Sequence, residues 1–125
     1  NLVKEKNLEE QVEFLGPVSH GWTPRLYNEA DLFINLSDTG SLDKSVLEAM
    51  ACECLVLTSN EAFKNIIPVS LFSADKSSDK VAGQIKSIIN LSEDKKSELK
   101  SRLRTEITSN HNLSNLITSI VNLYK

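Results

Sequence analysis

The spacing of apolar positions changes several times along the chain, and each change marks an element. NLVKEKNL at the start reads as the tail of a helix. VEFLG (Val12 to Gly16) is a short apolar run closed by Gly16-Pro17, which predicts a buried strand. After the loop VSHGW, Thr23 as N-cap and Pro24 at the first position open a helix carrying Leu26, Tyr27 and Ala30. DLFINL (Asp31 to Leu36) is almost continuously apolar, as a strand is when both faces of its sheet are covered. The polar loop SDTGS then feeds LDKSVLEAMAC, where Leu42, Val46, Leu47, Ala49 and Met50 follow helical spacing. CLVLTS (Cys54 to Ser59) predicts another buried strand, EAFKNII a short helix, and VSLFSA a weak last strand around Leu71 and Phe72. Helical patterns fill the remainder, over Ser78 to Asn90, Glu93 to Ser109 and Leu113 to Lys125, the middle one strongly charged and expected to be solvated on most of its surface. Strand and helix alternate as far as Phe72, which predicts parallel βαβ units with right-handed crossovers. The fold class expected is α/β, a doubly wound parallel sheet ending in C-terminal helices.

Length and composition narrow the classes. At 125 residues the chain has the size of about one domain and enough material to bury a core. Its 14 Lys and Arg against 17 Asp and Glu give a net charge of -3, and no segment carries a basic stripe, so nucleic acid has no electrostatic footprint. No apolar run is long enough to span a bilayer, and no signal-peptide pattern stands at the start. Cys52 and Cys54 form a C-x-C with no other Cys and no nearby His, a poor zinc site. A reduced, cytoplasmic chain without a metal is expected. Three Asn-x-Ser sequons, at Asn35, Asn90 and Asn112, are read as chance, since Asn35 lies inside a strand pattern.

In open α/β sheets ligands sit beyond the carboxyl ends of the strands. Two loops fall there, Gly16 to Trp22 after the first strand and Ser37 to Ser41 after the second. The second feeds a helix N-terminus, where free N–H groups and the helix dipole favour an anion. Thr39, Gly40 and Ser41 are small enough for a ligand to approach the backbone, and Lys44 adds a point charge one turn in. The bland reading is a loop rich in small residues only to make its turn. Glu48 stands among Val46, Leu47, Ala49 and Met50. It is either an exposed Lys44–Glu48 i,i+4 pair worth about 0.3 kcal/mol, or a carboxylate near the sheet edge that needs a partner. A ribose diol offers two donors, each charged hydrogen bond being worth roughly 1.5–3 kcal/mol.

VEFLGPV, LYNEADLFINLS and VLEAMACECLVLTSNEAF together resemble the C-terminal, donor-binding domain of a retaining family 4 glycosyltransferase of the two-Rossmann-domain (GT-B) architecture. The resemblance runs from about Val12 to Tyr124, is densest between Ala30 and Asn60, and has L-E-A-M-A as its strongest marker. It implies a Rossmann-like sheet and transfer of a sugar from a nucleotide-diphosphate donor to an acceptor hydroxyl, with retention and without a cofactor or metal. It also implies that these 125 residues are a fragment of the nucleotide-sugar-binding domain, with a glycine-rich first strand, the diphosphate-clamping Arg and Lys and the acceptor-binding domain lying upstream. Such a piece alone is expected not to catalyse. The family has two glutamates with seven residues between them, the second of which holds the ribose, and Glu48 matches that second one. The first falls on Gly40, so Ser41, Leu42 and Asp43 occupy the sugar-facing turn and Asp43 becomes the candidate replacement carboxylate. TGSLDK resembles the turn of a bacterial subset of the family. Thr39, Gly40, Ser41, Leu42 and Lys44 are then the candidates for donor phosphate and sugar, and Leu15, Gly16, Pro17 and His20 for the base side. Glu53 stands where the family has glycine and Leu55 where it commonly has proline, which bears on turn geometry.

The remaining conspicuous residues have bland readings beside functional ones. His20 is otherwise a solvated loop histidine, Trp22 a residue packed under the helix it precedes, and His111 a helix-end cap. Asp38 and Thr39 have the chemistry of a phosphoacceptor site, and Tyr27 and Phe33 read as core. Two other functions compete: a receiver-type signalling domain, which lacks its acidic pair after the first strand here, and a non-catalytic nucleotide-sugar binder, suggested by the missing first glutamate. The partners expected are a nucleotide sugar and a glycan or lipid-linked acceptor, the latter met through the upstream domain.

Overall fold

The computed structural model describes residues 1–123. Its centre is a parallel pair of strands, β1 (Phe33–Asn35) and β2 (Val56–Thr58), registered Phe33 to Val56, Ile34 to Leu57 and Asn35 to Thr58. All three β2 residues are buried, as are the flanking Cys54, Leu55, Ser59 and Asn60. That explains the unbroken apolar run, because a strand covered on both faces has no solvent face to mark with polar residues. The expected weak last strand contracts to a single parallel bridge between Thr58 and Phe72. What forms is thus a mixed α/β fold around a small parallel sheet.

Before the sheet stand α1 (Leu2–Glu5) and α2 (Thr23–Glu29); α3 (Lys44–Ala51) connects the two strands. Val46, Ala49 and Met50 of α3 are fully buried, which leaves Glu48 at the edge of the packed stripe. Beyond the sheet run α4 (Ser78–Ile89), α5 (Glu93–Asn110) and α6 (Leu113–Leu123). The charged α5 buries only Leu99 and Leu103 and packs them against α3. Truncating Met50 or Leu103 to alanine would cost about 2–5 kcal/mol, the range for a filled core site. The expected end of the last helix at Lys125 lies outside the described residues.

Several local expectations are corrected. Val12 to Gly16 is irregular, with Phe14 72% and Leu15 55% exposed: no strand among the described residues pairs with it, so its backbone stays unladdered. Thr23 is the first helical residue and not the N-cap, because Trp22 already has helical backbone angles and the Thr23 hydroxyl donates to the His20 carbonyl at 2.8 Å. Trp22 is exposed under the Arg25 guanidinium, which lies 5.0 Å from its ring, and so does not pack beneath α2. EAFKNII yields only a 3-10 turn over Glu61–Phe63, since Pro68 disfavours helix at Ile67.

The end of α3 shows what the unusual Glu53 does. Glu53 N–H donates to the Met50 carbonyl and Cys54 N–H to the Ala49 carbonyl, at 3.1 and 3.0 Å, which is a Schellman closure. It forces Glu53 to φ 57, the left-handed region that glycine adopts without cost. Arg104 of α5 offsets part of the strain, donating to the Ala51 carbonyl at 2.8 Å and lying 3.6 Å from the Glu53 carboxylate. An exposed pair of that kind is worth about 0–1 kcal/mol. Glu53→Gly is therefore expected to stabilise the fold by roughly 0.5–1 kcal/mol, read as an upward shift of the urea midpoint with unchanged slope.

Candidate functional site

Because β1 and β2 are parallel, the loops that leave them emerge at one edge of the sheet. The loop after β1, Ser37 to Asp43, meets the turn after β2 at Asn60. Asn60 is fully buried, and its side-chain amide nitrogen lies 2.7 Å from the Ser41 carbonyl, 3.1 Å from Asp43 Oδ2 and 3.2 Å from Thr39 Oγ1. Two N–H hydrogens serve three acceptors, so the contacts to Asp43 and Thr39 share one of them. The Asn60 carbonyl oxygen accepts from Ala62 N–H at 3.0 Å and so caps the following turn. Ser37 and Thr39 hydroxyls donate to the Asp43 carboxylate as well, Thr39 at 3.0 Å.

Those donors account for the Asp43 carboxyl being held below its ordinary value: the Ser37 hydroxyl is the largest cause, desolvation opposes it next, and Asn60, Thr39 and Asn35 add to the lowering. Of its four lone-pair sites, Oδ2 uses two and Oδ1 one, which leaves a single acceptor on Oδ1. Drawn into the loop, Asp43 makes no side-chain cap on α3 although it occupies the N-cap position. Val46 N–H turns back to the Asp43 carbonyl at 3.1 Å, which leaves the Lys44 and Ser45 N–H groups at the start of α3 open, the arrangement that favours an anion. Gly40 holds φ 68, so the turn uses its freedom from a Cβ. Leu42 and Lys44 are exposed, and Lys44 makes no ion pair among the described residues. The i,i+4 reading of Lys44 with Glu48 is thereby replaced. Asp38, on the same loop, pairs with Lys76 instead.

Glu48 turns the other way, toward α2. The Tyr27 hydroxyl donates to its Oε2 at 3.4 Å, and Nδ1 of His20 lies 4.0 Å from Oε1. Tyr27 is buried with its ring edge-on to Phe33 at 5.4 Å, and burial first, then the Glu48 charge, raises its phenol. His20, Thr23, Tyr27, Glu48 and Cys52 are among the walls of a cavity of about 160 Å³. With 35% of its side chain exposed, Glu48 keeps acceptor capacity open to a ligand. Tyr27 thus joins the site, where the sequence pattern placed it only in the core.

Of the base-side candidates, His20 alone reaches Glu48. Gly16, at φ 66, and Pro17 are exposed, while Leu15 lines a separate apolar cavity of about 420 Å³ with Val18, Leu26, Tyr27 and Phe33. Among the described residues no group of three or more His, Cys, Asp or Glu is placed to hold a metal, and no helix is long and apolar enough to cross a membrane. His111 ends α5 as expected, its backbone N–H donating to the Ile107 carbonyl at 3.0 Å.

A family model described as glycosyl transferases group 1 matches residues 1–91, and the chain belongs to that family. Both candidate carboxylates and Asn60 fall within the matched stretch. No curated protein and no solved structure matches the chain. Membership in the family suggests glycosyl transfer, and in general terms a sugar donor and an acceptor.

The loop network carries a pH dependence of known sign. A carboxyl held below its ordinary value, near about 4, stabilises the fold above that value and loses the contribution as pH falls through the lowered one. The network is therefore complete at neutral pH and opens only in acid, below about pH 4. Carboxyl-carbon NMR of Asp43 should place its titration midpoint below that of an ordinary aspartate in the wild type, and Ser37→Ala should move the midpoint upward.

Proposed function

We propose that this chain is the donor-binding part of a retaining, family 4 glycosyltransferase of the GT-B architecture, moving a sugar from a nucleotide diphosphate to an acceptor hydroxyl. The observation that carries the reading is the placement of Glu48, an acid on the helix that leaves the ligand edge, half-exposed beside a small cavity with acceptor capacity to spare. In this reading its carboxylate accepts both hydroxyls of the ribose, with Tyr27 behind it and His20 toward the base. The open N–H groups of α3 and the backbone of Thr39, Gly40, Ser41 and Leu42 face the diphosphate and sugar, and Lys44 supplies positive charge. Asp43, ionised at neutral pH, has one lone-pair site left, enough to accept a single sugar hydroxyl. The departing diphosphate is stabilised by fixed dipoles and side chains, so the reading calls on no metal and no resident cofactor.

The acceptor, a glycan or a lipid-linked sugar as in cytoplasmic polysaccharide assembly, would be held by a further domain in the complete protein. A non-catalytic nucleotide-sugar binder is the second reading, kept because Gly40 stands where the family has its first glutamate.

Calorimetric titration of the complete protein with UDP, GDP and their sugar conjugates tests the first reading. One nucleotide should bind, and Glu48→Ala should weaken it about 100- to 10,000-fold, the equivalent of two charged hydrogen bonds. Unchanged affinity in that variant would remove Glu48 from the site. Sugar transfer by the wild type then separates enzyme from binder.

A further inference from the structure

We propose that Asn60 is a positioning residue for the donor site: its buried amide fixes the Thr39–Asp43 loop in the shape that receives the phosphate end of the ligand. The inference rests on the donor-site reading above and adds a residue that touches no ligand itself.

Three observations support it. Asn60 is 0% exposed, yet every polar atom of its side chain has a partner, so the amide is held in one orientation. Its partners on the donor side are three points of one loop, the Thr39 hydroxyl, the Ser41 carbonyl and the Asp43 carboxylate, contributed from 21, 19 and 17 residues away. Its own backbone is fixed in turn, its N–H donating to Thr58 Oγ1 at 3.1 Å, while that hydroxyl donates to Asn35 Oδ1 at 3.3 Å. The chain of contacts therefore runs from the ends of both strands into the loop. No other side chain among the described residues joins the turn after β2 to the loop after β1 at so many points.

A consequence follows for Asp43. Left to itself, an aspartate at an N-cap turns its carboxylate onto the N–H groups of its own helix. Here Asn60, Ser37 and Thr39 draw that carboxylate into the loop, and the helix N-terminus stays open for an anionic ligand. Loss of the Asn60 amide frees Asp43 to swing onto α3 and occupy the same N–H groups.

The effect therefore has a direction that a general loss of stability lacks. Asn60 acts on the phosphate end of the site and Glu48 on the ribose. The experiment is calorimetry on the complete protein with UDP and GDP, each beside its monophosphate. Asn60→Ser should cut the preference for diphosphate over monophosphate about tenfold, one hydrogen bond's worth, whereas Glu48→Ala should weaken both ligands alike. Ser37→Ala loosens the same network from its half-buried side without opening a buried hole, and should cut the preference about threefold even if Asn60→Ser fails to fold. If the Asn60 and Ser37 variants weaken both ligands equally, or neither, while binding still needs Glu48, the positioning role is overturned and the donor site stands. If no nucleotide binds the wild type, or binding does not need Glu48, the donor-site reading and this inference fall together.

Discussion

Two strands that run parallel must send their outgoing loops to the same edge, and this structure is organised by that constraint. The register of Phe33–Asn35 on Val56–Thr58 brings residues about twenty apart in sequence into contact at the carboxyl ends. The crossover between them has to climb one face of the sheet and return, which α3 does with Val46, Ala49 and Met50 buried beneath it. An antiparallel pair would separate the two loops, and neither the Asn60 contacts nor the open helix start would exist. The candidate site is thus a product of sheet direction before it is a product of particular side chains.

The return of the crossover is the strained part. A helix that must end and turn straight into a buried strand needs a left-handed residue at its close, and glutamate is a poor one. Glu53 is held there by two Schellman hydrogen bonds and by Arg104, which reaches over from α5 to the last carbonyls of α3. That contact explains why a helix as charged as α5 is docked where it is. It packs Leu99 and Leu103 against α3 and also supplies the cation at that helix's negative end.

Much of this was legible in the chain. The spacing of Val46, Ala49 and Met50 has the helical period, while the short apolar run from Cys54 to Leu57 is read as a strand from its length and its place after a helix. Glu48 stood out because one acid in an apolar stretch requires an explanation. The misread segments were those whose state depends on a distant partner. VEFLG has the composition of a strand, but a strand is a pairing, and no ladder forms on it among the described residues. Trp22 reads as packed under the helix it precedes, but Arg25 stacks on it at the surface. Tyr27 and Asn60 were missed as site residues because their roles are contacts to Glu48 and to the loop, both about twenty positions away. The available signal for Asn60 is weak: it is the last of three polar residues, Thr58, Ser59 and Asn60, that close the apolar run, at a position that also suits a short helix cap.

The two carboxylates of the site sit in opposite circumstances, and the contrast assigns them different work. Asp43 accepts from three donors and is held ionised by them, so most of its acceptor capacity serves the protein. Such a group shapes a loop well, because each contact restricts the others, but it has little left to offer a ligand. Glu48 has one long hydrogen bond from Tyr27 and a histidine at the limit of ion-pair distance, with a third of its side chain in contact with solvent. Its acceptor capacity is therefore the less committed of the two. At this sheet edge the pinned carboxylate shapes the loop, and the open one is the group with acceptors to spare. Gly40, at φ 68 on the loop that Asp43 pins, adds no side chain of its own, so what that loop presents at the sheet edge is largely backbone.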